Sequence, residues 1–257
     1  RGDIRDPQQM AALCQGQDVV FHLAALIGIP YSYEAPSSYV ATNVQGTVNV
    51  LTAARDAGVS GVVHTSTSEV YGTAQFTPIT EEHPLQGQSP YAASKTSADI
   101  MAEAFARSFD LPVVTLRPFN TYGPRMHPNG GRVVSNFIVQ ALTNQPITIY
   151  GDGSQTRSFC FVDDLIAGLT SLMESGPEIT GPVNLGNPHE FTISELAGLV
   201  VEMTGSKTRV INKPLPTDDP KQRQPDITLA QSQFGWKPKV ELEEGLPRTV
   251  EYLSKIA

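Results

Sequence analysis

Tyr91 and Lys95 stand one helical turn apart in a stretch, 91–109, whose pattern predicts a helix. At that spacing two side chains share a helix face, and an ammonium beside a phenol favours the phenolate. A phenolate within reach of a hydroxyl proton is a general base. Upstream, Val62-Val63-His64-Thr65 predicts a short apolar strand that runs out into Ser66-Thr67-Ser68-Glu69. Thr67, Ser68 and Glu69 therefore bring hydroxyls and a carboxylate to a strand end. The set suits removal of a proton from a sugar or alcohol hydroxyl while hydride leaves the same carbon. Glu69 has a plainer alternative, as an acid capping a neighbouring helix.

The elements that must hold these groups follow from hydrophobic pattern. Residues 18–23 (DVVFHL) form a nearly unbroken apolar strand, as buried parallel strands do. The stretch 24–38 reads as a loop, and a long helix is expected from Ser37 or Ser38 to Ala57, stopped by Gly58. The strand 61–65, the loop 72–90, the helix 91–109 and the strand 112–117 follow. Strands alternating with helices predict right-handed β-α-β crossovers in a doubly wound parallel α/β sheet. Ligands of such sheets lie beyond the carboxyl ends of the strands, where Ala24, Ser66–Glu69 and Phe119-Asn120 fall. After Pro118 the texture changes. A helix over 133–143, a strand over 147–150 and an extended stretch over 158–162 are expected. A helix from Asp163-Asp164 to Glu174 and a strand over 183–185 come next. Thr192 with Glu195 reads as a capping box, a Pro-rich polar stretch covers 213–226, and a last helix starts at Leu242. The second half reads as a smaller lobe over the sheet.

The chain has 257 residues, 40% hydrophobic and 17% charged, with a net charge of -8. That size suits one large α/β domain or two intimate ones, and the negative charge argues against nucleic acid as a partner. No apolar run reaches membrane-spanning length, and no signal peptide is expected. Cys14 and Cys160 lie in apolar stretches and read as buried thiols of a reducing, cytoplasmic setting. His64, His127 and His189 lack ligand spacing, so no metal site is expected.

Thr67-Ser68-Glu69-Val70-Tyr71-Gly72 with Tyr91-x-x-x-Lys95 resembles the extended short-chain dehydrogenase/reductase family. His22-Leu23-Ala24-Ala25, Asn43-Val44-x-Gly46-Thr47 and Arg117-Pro118-Phe119-Asn120 carry the same likeness, which is to its NAD-dependent nucleotide-sugar epimerases, 4,6-dehydratases and decarboxylases. The stretches 26–33 and 82–90 resemble UDP-N-acetylglucosamine 4,6-dehydratases. From Asn120 onward, notably in 133–137, 151–159 and 218–226, the chain is similar to UDP-glucuronate decarboxylases. Those usually show Tyr-Asp-Glu-Gly-Lys where this chain has Tyr-Ala-Ala-Ser-Lys.

The resemblance implies Tyr91 as the base on the sugar 4-hydroxyl. Lys95 is implied as the ribose ligand that lowers the Tyr91 pKa, and Thr67 as a partner of the 4-oxygen. It implies Glu69 as the acid expected of dehydratases and decarboxylases rather than of simple 4-epimerases. Ser68 stands where dTDP-glucose dehydratases carry Asp. Asp3, Ile4, Leu23, Ala24, Ala25, Asn43, Thr65 and Phe119 are implied, with Tyr91 and Lys95, as NAD contacts. Asn120, Asn136, Arg157 and Arg223 are implied for the diphosphate and sugar of a UDP-sugar, with Val134 and Tyr150 walling the uracil. The family's G-x-x-G-x-x-G loop is not in this sequence, so the first β-α-β-α unit is expected to be missing from the sheet, leaving an exposed strand edge. The expected division is a Rossmann-like domain over 1–120 and 159–187 and a nucleotide-sugar lobe over 121–158 and 188–257. A homodimer through the helices 38–57 and 91–109 is implied as well. A UDP-sugar 4-epimerase, and a truncated binding protein without catalysis, stand as alternatives.

Overall fold

The computed structural model describes residues 2–176, 179, 181–214 and 222–256. Of the stretch 218–226, Asp218, Asp219, Pro220 and Lys221 lie outside the described residues. In chain order the first half comprises α1 (Pro7–Cys14), β1 (Val19–His22), α2 (Ile29–Glu34), α3 (Pro36–Tyr39), α4 (Gly46–Ala57), β2 (Gly61–Thr65), α5 (Pro90–Phe109) and β3 (Val113–Pro118). The second comprises β4 (Thr121–Tyr122), α6 (Val133–Leu142), β5 (Ile147–Tyr150), β6 (Thr156–Ser158), β7 (Cys160–Phe161), α7 (Val162–Glu174) and β8 (Pro182–Leu185). It ends with β9 (Glu190–Thr192), α8 (Ile193–Thr204), β10 (Val210–Lys213), α9 (Thr228–Phe234) and α10 (Leu242–Ser254).

The main sheet is wholly parallel, in the order β1-β2-β3-β8. Side chains alternate faces along each strand. Val62 and Val113 therefore pack with Leu51, Ala54, Ala102 and Phe105 of α4 and α5. Their neighbours Val63 and Val114 pack on the opposite face with Leu169 and Leu172 of α7 and with Ala230 and Trp236. This is the doubly wound α/β arrangement that the pattern predicts. Among the described residues β1 ends the sheet, with Phe21 41% and Leu23 55% exposed along that edge. A separate core under α6, α8 and α10 gathers Phe137, Ile138, Leu196, Val200, Leu246 and Leu253.

Several local expectations change. The long helix is interrupted: α3 passes through a π-helical segment, Val40–Gln45, before α4 begins. The stretch 24–38 holds α2 and the start of α3 rather than a plain loop. The strand β10 and helix α9 fall where no element was expected. Asp164, in the first turn of α7, accepts from the backbone N–H groups of Lys239 and Val240, both at 2.9 Å. The capping box is present, with Glu195 N–H donating to Thr192 Oγ1 at 3.1 Å and Thr192 N–H donating to Glu195 at 2.7 Å.

Two loop contacts set up the site. Gly72 closes the turn after Tyr71 at φ +67, and a Cβ there would run into the Gln86 carbonyl, so only glycine suits the position. Ile79 exchanges backbone hydrogen bonds with Gln224 and Asp226, each 2.8 Å, and thereby docks the segment carrying Arg223 beside the sheet.

Candidate active site

Tyr91 lies in the first turn of α5, which Ser89 caps by accepting from the Ala92 N–H at 3.1 Å. One turn on, the Lys95 ammonium donates to the Thr65 carbonyl at the end of β2, 2.7 Å away. Both side chains are buried. Thr67 caps the short turn that follows β2, its Oγ1 accepting from Glu69 N–H at 3.2 Å. The four residues that the sequence singles out are thus brought to one strand end by β2, its capped turn and the start of α5.

The electrostatics differ from the expectation that Lys95 acidifies Tyr91. Burial dominates and holds the Tyr91 phenol above its ordinary pKa, while the Thr67 hydroxyl and the charge of Arg132 pull the other way. Burial also brings Lys95 down to about 8, opposed by the Asp99 carboxylate. The ammonium spends its reach on the Thr65 carbonyl.

A cleft of about 850 Å³ opens over this strand end, lined by Thr67, Ser68, Glu69 and Tyr91. Phe119, Asn120, Val134, Asn136, Tyr150, Arg157 and Arg223 reach the same cleft from the other elements. Every catalytic and substrate-side candidate except Lys95 therefore lines one cavity. Arg157 comes from β6, where it donates to the Thr156 carbonyl at 2.8 Å. Arg223 forms a close ion pair with Glu69 across the cleft floor. Its Nε and the Asn120 Nδ2 are buried atoms without a hydrogen-bond partner among the described residues. Buried donors of this kind are costly unless something accepts from them.

Apart from Tyr91 and Phe119, the cofactor-side candidates lie outside this cleft lining. Leu23 and Ala24 are exposed at the end of β1. The segment after them is clamped by Asn43, whose amide accepts from Leu26 N–H at 2.8 Å and donates to the Leu26 carbonyl at 2.9 Å. Asn43 also donates to Ser94 Oγ at 2.9 Å. It holds the β1 loop against α5, with its amide already engaged. The Thr65 hydroxyl is a buried group without a partner among the described residues. Ile4 packs on Gly46, and Asp3 pairs with Arg5 at 2.5 Å, which holds its carboxyl at about 2.

Residues outside the candidate set also reach the cleft: Arg132, Ile27, Pro30, Tyr33, Met126 and Gln155. Arg132 follows Gly130-Gly131 in a loop, and nothing in its spacing marks it. No group of three or more His, Cys, Asp or Glu among the described residues is placed to hold a metal ion. No helix among them is long and apolar enough to cross a membrane.

The sequence model of the GDP-mannose 4,6 dehydratase family matches residues 1–249. The chain belongs to that family. Its relatives include UDP-glucuronic acid decarboxylase 1 of Danio rerio, 43% identical over 93% of this chain and 57% of that protein. The chain spans about half the length of the first curated decarboxylases it matches. Solved structures of the same fold include the dTDP-glucose 4,6-dehydratase of Streptomyces venezuelae with NAD and TYD bound. It has TM-score 0.93 and 34% identity, and the match covers 99% of this chain and 79% of that one. The UDP-glucuronic acid 4-epimerase of Bacillus cereus, in complex with UDP-glucuronic acid and NAD, has TM-score 0.94 and 31% identity, with 100% and 81% covered. This GDP-mannose 4,6 dehydratase family member thus shares its Rossmann-like α/β fold with sugar-nucleotide epimerases and dehydratases of the short-chain dehydrogenase/reductase type.

Proposed function

We propose that the chain carries the reacting centre of an NAD-dependent UDP-sugar enzyme that oxidises the sugar at C4, of the UDP-glucuronate decarboxylase type. The observation that carries this is the convergence of Tyr91, Thr67, Glu69 and Arg223 on one cleft. Relatives 42–44% identical to the chain are UDP-glucuronic acid decarboxylases. The strand ends fit NAD: the Thr65 hydroxyl is buried without a partner among the described residues, Leu23 and Ala24 are exposed at the end of β1, and the Lys95 ammonium reaches the Thr65 carbonyl at the end of β2. Asp3, Ile4, Ala25 and Phe119 would complete that surface, and Asn43 would hold its loop.

NAD held there would supply the hydride acceptor for C4 and the reductant for the later 4-ketone. Tyr91 removes the 4-hydroxyl proton and Thr67 donates to the 4-oxygen. The resulting C4 ketone is β to the C6 carboxylate, so the electrons of the breaking C5–C6 bond flow toward the ketone oxygen as CO2 leaves. C5 of the enolate left by CO2 must then gain a proton, and Glu69, which lines the cleft, would relay it from solvent before the ketone is reduced; its pairing with Arg223 keeps the cleft's charges balanced. Arg157 and Arg223 hold the diphosphate, because a guanidinium fork matches phosphate oxygens. Asn120 offers its free amide donor to the sugar, with Asn136 beside it, and Val134 and Tyr150 flank the uracil. Residues 1–120 and 159–187 form the cofactor domain in this reading, and 121–158 and 188–257 the sugar-nucleotide lobe. Pairing of two copies through α4 and α5, in the cytoplasm, belongs to the same reading.

The test is turnover of UDP-glucuronate labelled at C6, with NAD supplied and the nucleotide released on denaturation measured in parallel. Labelled CO2 and a UDP-pentose are expected. A second reading, 4,6-dehydratase, is favoured by the dTDP-glucose 4,6-dehydratase neighbour; loss of water from a UDP-hexose without CO2 would replace the first reading with it. UDP binding without any turnover would leave only a binding protein. Within the first reading, Arg132→Gln removes a charge that lowers the Tyr91 pKa. The phenol acts as base only when ionised, so the acid limb of kcat/KM should move to higher pH. An unmoved limb in a pH–rate profile would show that this cation does not tune the base.

A further inference from the structure

Asp99 lies one turn beyond Lys95 on α5, as Lys95 lies one turn beyond Tyr91, so the three side chains share a helix face. Its carboxylate is fully buried and held at both oxygens: His64 Nε2 lies 3.2 Å from Oδ1, and the Arg117 Nε–H donates to Oδ2 at 3.1 Å. Burying an isolated carboxylate is expensive, and this one stays ionised because His64 and Arg117 outweigh its desolvation. Arg117 is fixed in turn on its far side by Tyr71 OH at 3.2 Å and the Glu81 carbonyl at 3.4 Å.

The other titratable groups around Lys95 offer it no negative charge. His22 on β1 and His64 on β2 stack near it, and burial keeps both neutral, His22 at about 3. Tyr91 is a neutral phenol until it acts as base. Among the described residues Asp99 is therefore the anion that acts on the Lys95 ammonium. A buried ammonium without such an anion sheds its proton.

We propose that Asp99 is a positioning residue for Lys95: its clamped carboxylate keeps the ammonium charged and turned to the Thr65 carbonyl, where the cofactor would meet it. The inference rests on the reading of Lys95 given above, but its test does not need turnover. In chain labelled with 13Cε-lysine, the Lys95 resonance, assigned by its loss in Lys95→Met, should titrate near pH 8. In Asp99→Asn it should titrate about one unit lower or more, while Asp99→Glu restores the wild-type position. The alkaline limb of the pH–rate profile should move down by the same amount. If Asp99→Asn does not fold, the charge-neutral Asp99→Asn/Arg117→Met carries the same measurement. A Lys95 titration unmoved in a folded variant, with activity lowered equally at every pH, would overturn the proposal and leave Asp99 a structural ion pair. A chain inactive throughout, but with the shifted titration, would refute the enzymatic reading and keep the positioning role.

Discussion

Replacing Tyr91 by Phe is expected to cut turnover of UDP-glucuronate by roughly 10²–10⁴-fold, the range that a positioned general base contributes. KM should stay within a few-fold, because the ring itself is kept. Tyr91 meets Tyr39 edge-on with centroids 6.3 Å apart, and Phe preserves that contact and the packing of the first turn of α5. The change removes one hydroxyl that burial holds above its ordinary pKa and that the Thr67 hydroxyl and Arg132 pull back. Among the described residues that line the cleft, Thr67 is a poor base and Glu69 is already paired with Arg223. The loss therefore falls on kcat. A single-turnover measurement following the C4 oxidation separates this from slow product release. A Tyr91→Phe variant with an unimpaired rate would refute Tyr91 as the base and leave the cleft as a binding site for the nucleotide sugar.

The sequence made the scaffold of this site legible because local patterns encode it. The alternation of apolar strands with capped helices predicts the parallel sheet. Ser89-Pro90 before Tyr91 marks the helix start, and Thr192 with Glu195 marks another. These are signals that act within a turn or two of the chain. The Glu69–Arg223 pair was not legible, since each residue has its own plausible role. The Ile79 to Gln224 bridge that brings them together has no local signature. The same holds for Arg132, an ordinary loop arginine until the start of α6 puts it in the cleft lining, where its charge acts on Tyr91. The π-helical segment 40–45 escaped because its residues suit an α-helix equally well; its consequence is to turn Asn43 inward toward Leu26 and Ser94. Arg117 entered only through the family likeness, although a charge that closes a largely apolar strand by itself calls for a buried partner.

Arg117→Met is expected to be among the most destabilising single changes in the chain. The Arg117 side chain is 1% exposed, sits over the Tyr71 ring at 5.1 Å and neutralises Asp99 from β3. Removing one member of a buried pair strands the other charge, which costs about 3–5 kcal/mol. For a chain of this size that corresponds to a Tm drop on the order of 10 °C. The pH dependence has a definite sign. In the wild type the Asp99 pKa is lowered, so its contribution is present above the unfolded carboxylate pKa and fades as pH falls through the folded one. In the variant burial is opposed by His64 alone, the Asp99 pKa rises, and the penalty is paid at neutral pH and relieved by protonation. The gap between wild type and variant, read from urea midpoints, should therefore narrow between pH 7 and pH 4. Adding Asp99→Asn should recover part of the loss, because it removes the stranded charge; a double-mutant cycle measures this non-additivity. An Arg117→Met variant within about 1 kcal/mol of wild type, with no narrowing at acid pH, would show that Asp99 is not carried as a charge inside the fold. It would also remove the anion on which Lys95 depends.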